Sequence, residues 1–298
     1  MVCRKYLERA LALVTSSKRR DPAMRFGLEP ATATHCYLAA ALFLQGFAEQ
    51  SEALLERVNS ESTTSLHVFD RAGVSLVACI LRADGLGDRA ALVEHVSDLN
   101  ELLSKHRLVM HGGYADALLG CVAQRPADAI VAFERGFIKL AAVGTRNRVP
   151  FFMGRYATAL ACEGLHDQAL STIERALDLC EETAQRWPEA ELWRVRADVL
   201  LSEPRFDREE AARCLERAQA LAHARGARLY ELRAASRLAR LLADQGQIAG
   251  ALALLAPVYG GFTEGFATAD LVEARVLMRD LRGGEACEVT QDGRADRT

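Results

Sequence analysis

A pattern with a period of about 40 residues recurs along most of the chain and limits it to a repeat architecture. Each copy has a small residue, a large apolar residue four positions on and another small residue three positions further. The leading positions are residues 51, 91, 129, 169, 211 and 251, so successive copies lie 40, 38, 40, 42 and 40 residues apart. A fixed period of this length is typical of units that bury their apolar faces against their neighbours. The clearest copies are Ala169–Ile173–Ala176, Ala211–Leu215–Ala218 and Ala251–Leu255–Val258.

Each period divides into two predicted helices. Alanine, leucine, arginine and glutamate dominate, and these are strong helix formers. Gly46, Gly164 and Gly246 mark turns between the two helices, because glycine adopts the left-handed conformation at a helix C-terminus. The sequence therefore predicts an all-α protein, an α-solenoid of antiparallel helix pairs. The predicted helices cover residues 2–15, 31–45, 48–59, 64–83, 88–107, 110–123, 126–142, 150–163, 166–184, 189–202, 207–224, 228–244, 247–257 and 270–281.

The chain divides into four predicted parts. Residues 1–15 form an orphan or capping helix, residues 16–30 a connector, and residues 31–282 the solenoid of about six helix hairpins and a C-terminal helix. Residues 283–298 lack periodicity and are predicted to be a disordered tail. Met1 falls inside a repeat, which favours the C-terminal part of a longer protein over a free-standing chain with a capping helix.

The spacing around residues 153–176 resembles the tetratricopeptide repeat. Ala157 takes the small position of the first helix, Leu160 follows three residues on, Gly164 lies at the turn, and Ala169 takes the small position of the second helix. The layouts that begin at Ala39 and Ala239 are similar. Because the period exceeds the roughly 34 residues of standard repeats, the repeats are longer or atypical, and HEAT-like stacking is the structural alternative.

A more specific resemblance lies in residues 185–281, in the stretches QRWPEAELWRVRADVLL, ARGARLYELRAASRLARLLADQG and ALLAPVYGGFTEGFATADLVEAR. These are similar to the C-terminal end of bacterial proteins that join a class III adenylate/guanylate cyclase or a winged-helix module to a STAND-type ATPase and a tetratricopeptide-like region. Residues 26–58 resemble the first repeat of that region. The resemblance implies a regulatory or interaction part, with the catalytic domains elsewhere. Gly261, Ala267, Ala269 and Leu28–Glu29 depart from the family pattern, where Trp, Asp, Pro and His-Asp are expected.

Motifs that carry chemistry are missing from the sequence. There is no G-x-x-x-x-G-K-[ST] loop for phosphates, no H-E-x-x-H metal motif and no G-x-S-x-G nucleophile turn. Cys162, His166 and Cys180 fall in one hairpin but lack the fourth ligand of a zinc site. We therefore expect a protein that is not an enzyme and holds no cofactor or metal. An enzyme on a helical scaffold is the alternative, and no specific feature supports it.

The net charge and the cysteine pattern indicate which partners and which cellular compartment suit the protein. The net charge is −3 and the pI about 6.2, which argues against a chain that mainly binds nucleic acid or an anionic membrane. The apolar runs at 37–44 and 74–81 are too short to cross a bilayer. None of the eight cysteines forms a C-x-x-C pair, and most lie in apolar helical stretches. We expect a reduced, cytoplasmic protein.

The concave groove is the predicted functional surface, because the first helices of tetratricopeptide hairpins line it. Arginines beside aromatic side chains suit a peptide with carboxylates or large apolar anchors. We expect a protein or peptide ligand there, and regulation of a cyclase, ATPase or DNA-binding module in cis or in trans; intramolecular ion pairs of the arginines are the alternative, and homo-oligomerisation stays open. The candidate groove residues are His111, Tyr114, Phe152, Arg155, Arg194, Asp198, Arg233 and Arg240.

Overall fold

The computed structural model describes residues 2–16, 29–65, 67–202 and 207–295. That part of the chain consists of fourteen α-helices joined by short turns, and it contains no strand. The all-α prediction is confirmed. The helices are α1 (Val2–Ser16), α2 (Pro30–Leu44), α3 (Ala48–Ser65), α4 (Val68–Ala83), α5 (Arg89–His106), α6 (Val109–Val122), α7 (Pro126–Ala142), α8 (Val149–Cys162), α9 (His166–Glu182), α10 (Glu189–Ser202), α11 (Arg208–Arg225), α12 (Arg228–Ala243), α13 (Ile248–Gly260) and α14 (Ala269–Ala295).

Helices α2 to α13 form six consecutive antiparallel pairs, and α14 follows them. Each even-numbered helix from α2 to α12 contacts the next even-numbered helix as well as its own partner, so these helices form the inner layer of a superhelix. The odd-numbered helices form the outer layer. The first helices of the hairpins thus line the inside, as the repeat pattern predicts.

Local sequence signals set the helix boundaries. Asp88 and Asp207 cap the N-termini of α5 and α11, where each carboxylate accepts a backbone N–H three residues on. The predicted turn glycines Gly46, Gly164 and Gly246 have φ of 89°, 76° and 76°, a region that L-residues rarely adopt. These turns reverse the chain within three of the six hairpins.

The repeat positions lie in the core. The small and large positions of the copies at Ala169 and Ala211 are all buried, as are Ala251 and Leu255 of the last copy. Small residues allow close approach of neighbouring helices. At Gly113 of α6, a Cβ atom would lie 2.9 Å from the carbonyl oxygen of Gly136 in α7. The pattern therefore records the spacing at which paired helices touch.

The superhelix closes on itself, because its last repeat contacts its first. Phe262, after α13, lies against Gly46, and a Cβ atom there would be 2.7 Å from the ring. Glu264 accepts hydrogen bonds from the backbone N–H (3.0 Å) and the side-chain amide (2.8 Å) of Gln50. Glu49 in turn accepts one from the N–H of Gly265, at 3.0 Å. We call this contact between residues 46–50 and 262–265 the seam.

Helices α1 and α14 form the two ends of the described chain. Helix α1 packs on α2, with the guanidinium of Arg4 over the Phe47 ring. Most of the predicted connector, residues 17–28, lies outside the described residues; Glu29 caps α2, and Pro30 begins it. The last helix continues to Ala295, although the sequence predicts a disordered tail from residue 283. A helix that is already formed on the core adds further turns at little cost, since nucleation is the costly step. Residues 296–298 lie outside the described part.

None of the helices in the described ranges is both long enough and apolar enough to span a lipid bilayer.

Candidate functional site

A cavity of about 270 Å³ lies on the inner side of the superhelix, between the inner helices α8, α10, α12 and α14 and the end of α4. Charged side chains dominate its lining. The turn after α4 supplies Asp84 and Gly85, and five arginines from α8, α10 and α12 face the same space: Arg155, Arg194, Arg233, Arg237 and Arg240.

Asp84 forms the floor of this cavity and is 1% exposed. One of its carboxylate oxygens accepts hydrogen bonds from Arg155 of α8 (2.8 Å) and Arg233 of α12 (2.9 Å). The other oxygen accepts the hydroxyl of Tyr230, also in α12, at 2.7 Å. A buried carboxylate requires such partners, because an unpaired charge in the interior is strongly unfavourable. Asp84 therefore joins α4 to two helices that lie far away in the sequence.

Arg233 is the most connected cation of the cavity. Its Nε and Nη2 atoms form a two-pronged contact with the carboxylate of Asp270, at the start of α14, at 2.8 and 2.9 Å. Its Nη2 also donates to the backbone carbonyl of Asp84. The backbone at Gly85 passes so close that a Cβ atom there would lie 2.8 Å from Arg233 Nη2, and φ at Gly85 is 113°. Only glycine fits this approach without strain.

A second set of ion pairs follows α10. Glu191 accepts two hydrogen bonds from Arg194, at 2.8 and 2.9 Å, and contacts Arg233 at 3.3 Å. Arg194 also donates to Asp198, and Asp198 pairs with Arg237 of α12 at 2.9 Å. The charges thus form one continuous chain from the floor of the cavity to its rim.

The electrostatics of the floor follow from burial and from these partners. Burial by itself raises the pKa of Glu191, but Arg194 and Arg233 outweigh it and lower that pKa to about 2. Burial and the neighbouring Asp84 carboxylate both raise the pKa of the Tyr230 phenol well above its ordinary value. Glu191 is therefore ionised and Tyr230 neutral at physiological pH, and neither is poised for acid–base chemistry.

Five of the eight candidate residues meet at this cavity. Arg155, Arg194, Arg233 and Arg240 line it, and Asp198 bonds to two of its arginines. These arginines also form intramolecular ion pairs: Arg240, for example, pairs with Glu273 of α14 at 2.5 Å. Whether these residues bind a partner stays a prediction.

The other three candidates do not line this cavity and are buried in the core. Phe152 is 0% exposed and packs between Tyr114 and Phe151. The Tyr114 hydroxyl donates to the carbonyl of Asn147, at 2.8 Å, and His111 is buried edge-on against Phe69. Burial lowers the pKa of His111, helped by the charge of Arg148. Near the start of α6 and α8 the inner helices touch each other, so side chains that would face a wider groove become core.

Sequence analysis does not identify four residues of the site: Asp84, Glu191, Tyr230 and Asp270. The Asp84–Gly87 segment reads as an ordinary turn. The one local signal at Asp84 is the glycine that follows it, which adopts a φ above +100°. This signal does not predict that the distant Arg233 contacts the turn.

The aromatic side chains of the loop at 258–269 and the cysteines of the α8–α9 hairpin do not line the central cavity. Phe262 packs into the last repeat and also into the seam, while Phe266 contacts Tyr259. Cys162 is exposed and Cys180 buried. Across the described part of the chain, no three histidine, cysteine or acidic side chains are grouped to hold a metal ion.

The fold and this site define a tetratricopeptide-like superhelix with a charged central cavity. Among solved structures, the chain is similar to a Rap protein in complex with competence and sporulation factor, with a TM-score of 0.60 and 13% identity over 87% of this chain and 74% of that one. It is also similar to the apo form of RapI, with a TM-score of 0.53 and 12% identity over 86% and 72% of the two chains. At these identities the likeness shows the fold alone.

The sequence comparisons do not assign the chain to a family. No family model matches the chain. An uncharacterized protein of Rhizobium meliloti (strain 1021) is 25% identical over 199 residues, which are 64% of this chain and 19% of that protein. The chain thus spans about a fifth of the length of this relative.

Proposed function

We propose that the chain is a non-catalytic regulatory module whose central cavity binds a peptide or a segment of a protein. The observation that carries this proposal is the graded exposure of the arginine pairs around the cavity. At the floor, Asp84 and Arg233 are shielded from water on nearly every side. At the rim, Arg237 is 42% exposed, and the Glu273 partner of Arg240 is 59% exposed.

The rim pairs are the ones that a ligand can exchange. An ion pair in contact with water contributes little stability, so replacing Glu273 or Asp198 by a ligand carboxylate costs little. The planar guanidinium groups of Arg237 and Arg240 suit bidentate recognition of a carboxylate. The floor pairs would stay in place and orient the rim.

Regulation would follow from the position of the cavity between α12 and α14. Phe262 of the seam packs in one apolar cluster with buried residues of both helices, and α12 also contacts α2. A ligand that binds one spacing of α12 and α14 more tightly than another would shift the population of closed and open superhelix. A partner that contacts the seam or the outer helices would then detect the ligand.

The identity of the partner is the finer part of the proposal. The resemblance of residues 185–281 to cyclase–ATPase regulators favours a signalling ATPase, a cyclase or a DNA-binding regulator, in cis or in trans. Under this proposal the chain belongs in the cytoplasm. The alternative is that the chain performs the same function as the C-terminal part of such a cyclase–ATPase. The similar Rap protein forms a complex with competence and sporulation factor, and ligand binding by a superhelix of this kind is consistent with a sensor role.

The test is a selection of displayed random heptapeptides on the purified chain, followed by fluorescence polarisation with the enriched peptides. We expect acidic peptides whose binding falls at least about tenfold in the Arg237→Ala/Arg240→Ala double variant. The matched control is Arg125→Ala/Arg175→Ala, which removes two exposed arginines outside the cavity. Failure to enrich any sequence, or equal binding by both double variants, would overturn the proposal.

A further inference from the structure

A second cavity, of about 410 Å³, lies between α3, α4 and α5 and shares no lining residue with the central one. Its floor is one stripe of α4, made of Arg71, Ser75, Ala78 and Arg82. Steps of four, three and four residues place these side chains on the same face of a helix. The volume falls within the usual range for small-molecule sites.

Arg82 is the most unusual residue of this floor. Its side chain is only 7% exposed, and the buried Nε–H has no acceptor among the described residues. Among the described residues, a single ion pair serves the guanidinium, a contact of Nη2 with Glu52 at 3.4 Å. A buried cation with an unsatisfied donor is unfavourable, so an oxyanion placed in the cavity beside the guanidinium would offset part of this cost through its charge.

Arg71 lies three turns away on the same stripe and is half-buried. Within the part of the chain that the structure describes, it forms no ion pair and no side-chain hydrogen bond. The central cavity differs in this respect, because each of its five arginines has a carboxylate partner. The two arginines of the second cavity thus keep donors available for a ligand.

The rim of the second cavity narrows the class of ligand. Glu56, Asp98 and Glu101 are exposed there beside Lys105 and two histidines, and none of the three carboxylates pairs with the floor arginines. With three carboxylates and one lysine, the opening keeps a net negative charge, which disfavours a polyanion such as nucleic acid. They suit a small molecule that points an anionic group inward and a cationic group outward.

Cys79 lies below this floor but offers no chemistry. Burial raises the pKa of its thiol to about 12, although the charge of Arg82 acts in the opposite direction. The thiol is therefore protonated and inert at physiological pH.

We propose that this second cavity binds a small zwitterion, whose carboxylate or phosphate contacts Arg82 and Arg71 and whose ammonium group contacts Asp98 and Glu101. The site is separate from the central cavity, so this proposal goes beyond the regulatory function proposed above and does not depend on it.

The experiment is isothermal titration of the full chain at low salt with three probes. Phosphoethanolamine carries a phosphate and an ammonium group, γ-aminobutyrate carries a carboxylate and an ammonium group, and inorganic phosphate carries the oxyanion alone. We expect saturable binding of one zwitterion, more tightly than inorganic phosphate. The zwitterion that binds identifies the oxyanion as phosphate or carboxylate.

Variants locate the site. Arg71→Gln removes a half-buried, unpaired cation without disturbing an ion pair, and we expect it to weaken the bound zwitterion about tenfold. Arg82→Lys keeps the charge but loses the fork of donors, and we expect a similar loss. Arg175→Gln, a matched change of an exposed arginine outside the cavity, should leave the affinity unchanged, and circular dichroism checks that each variant is folded.

Three results would overturn the proposal. They are no saturable heat with either zwitterion up to roughly 10 mM, undiminished binding in folded Arg71→Gln and Arg82→Lys, or phosphate alone binding as tightly as the zwitterions.

Discussion

Arg233 donates a hydrogen bond of 2.9 Å to Asp84, which lies 149 residues earlier in the chain. The contact ties the fourth helix to the twelfth across the inside of the superhelix. Tyr230 and Arg155 bond to the same carboxylate. Because Asp84 is almost fully shielded from water, these bonds belong to the fold and fix the spacing of the inner helices around the cavity.

Replacement of Asp84 tests this role. Asp84→Asn keeps the shape of the side chain but removes its charge, which leaves Arg233 without one of its buried partners. We expect the free energy of unfolding to fall by about 3–5 kcal/mol, the usual loss when one partner of a buried ion pair is removed. Urea denaturation measures it. Asp128→Asn, at an exposed pair with Arg125, is the control and should leave the midpoint unchanged; equal midpoints for the two variants would contradict the role of Asp84.

The sequence predicts the helices but not the way in which the superhelix closes. Ala169 and Ala211 recur at a fixed period because neighbouring helices touch at those positions, so local spacing is sufficient to find them. The bonds of Asp84 and the seam between Gln50 and Glu264 join residues that are 71 to 214 positions apart, and no periodic pattern records them. The burial of Phe152 is not recorded in the pattern either. The spacing between neighbouring inner helices decides whether an inner residue faces a groove or packs against the next helix.

The seam can be weakened at Gly46. Gly46→Ala adds strain at φ 89° and places a Cβ atom 2.7 Å from the Phe262 ring. Gly164→Ala has the same strain at φ 76° but meets nothing within 4 Å. We therefore expect both variants to be destabilised by about 1 kcal/mol for the backbone, and Gly46→Ala by a further 1–3 kcal/mol for the clash. Thermal melts of the two variants provide the comparison, and identical losses would mean that the seam contributes nothing to stability.

Substitutions at the floor of the central cavity should destabilise the protein more than substitutions at its rim. Arg233→Ala leaves the buried Asp84 and Glu191 and the partly buried Asp270 without their shared cation, so we expect a loss of about 3–5 kcal/mol. Arg237→Ala removes only a partly exposed pair with Asp198, for which we expect a loss below about 1 kcal/mol. Chemical denaturation of the two variants tests the ranking. A large loss for Arg237→Ala would mean that the rim is structural and not free to exchange partners.

Cysteine reactivity offers a probe of the closed fold. Burial raises the pKa of Cys36 and Cys214 to about 11 and that of Cys180 to about 12, so these thiols are both shielded and protonated at pH 8. Cys3 and Cys162 are exposed. We expect iodoacetamide to label Cys3 and Cys162 rapidly in the native protein and the three buried cysteines only after unfolding, as mass spectrometry of timed digests would show. Labelling of Cys36 as fast as that of Cys162 would contradict the packing of α2.

Glu191 predicts how stability depends on pH. Its pKa is about 2 in the folded protein, because Arg194 and Arg233 outweigh the effect of burial, and the ordinary value is 4.5. A carboxyl group whose pKa is lower in the folded state binds protons more tightly in the unfolded chain, so stability rises with pH through this interval. The contribution of Glu191 is therefore complete above about pH 4.5 and is lost as the pH falls towards 2. Denaturation midpoints between pH 6 and pH 3 should decline in the wild type, and Glu191→Gln should show lower stability at pH 6 and a shallower decline. Equal slopes for the two proteins would show that Glu191 is not held ionised by its arginines.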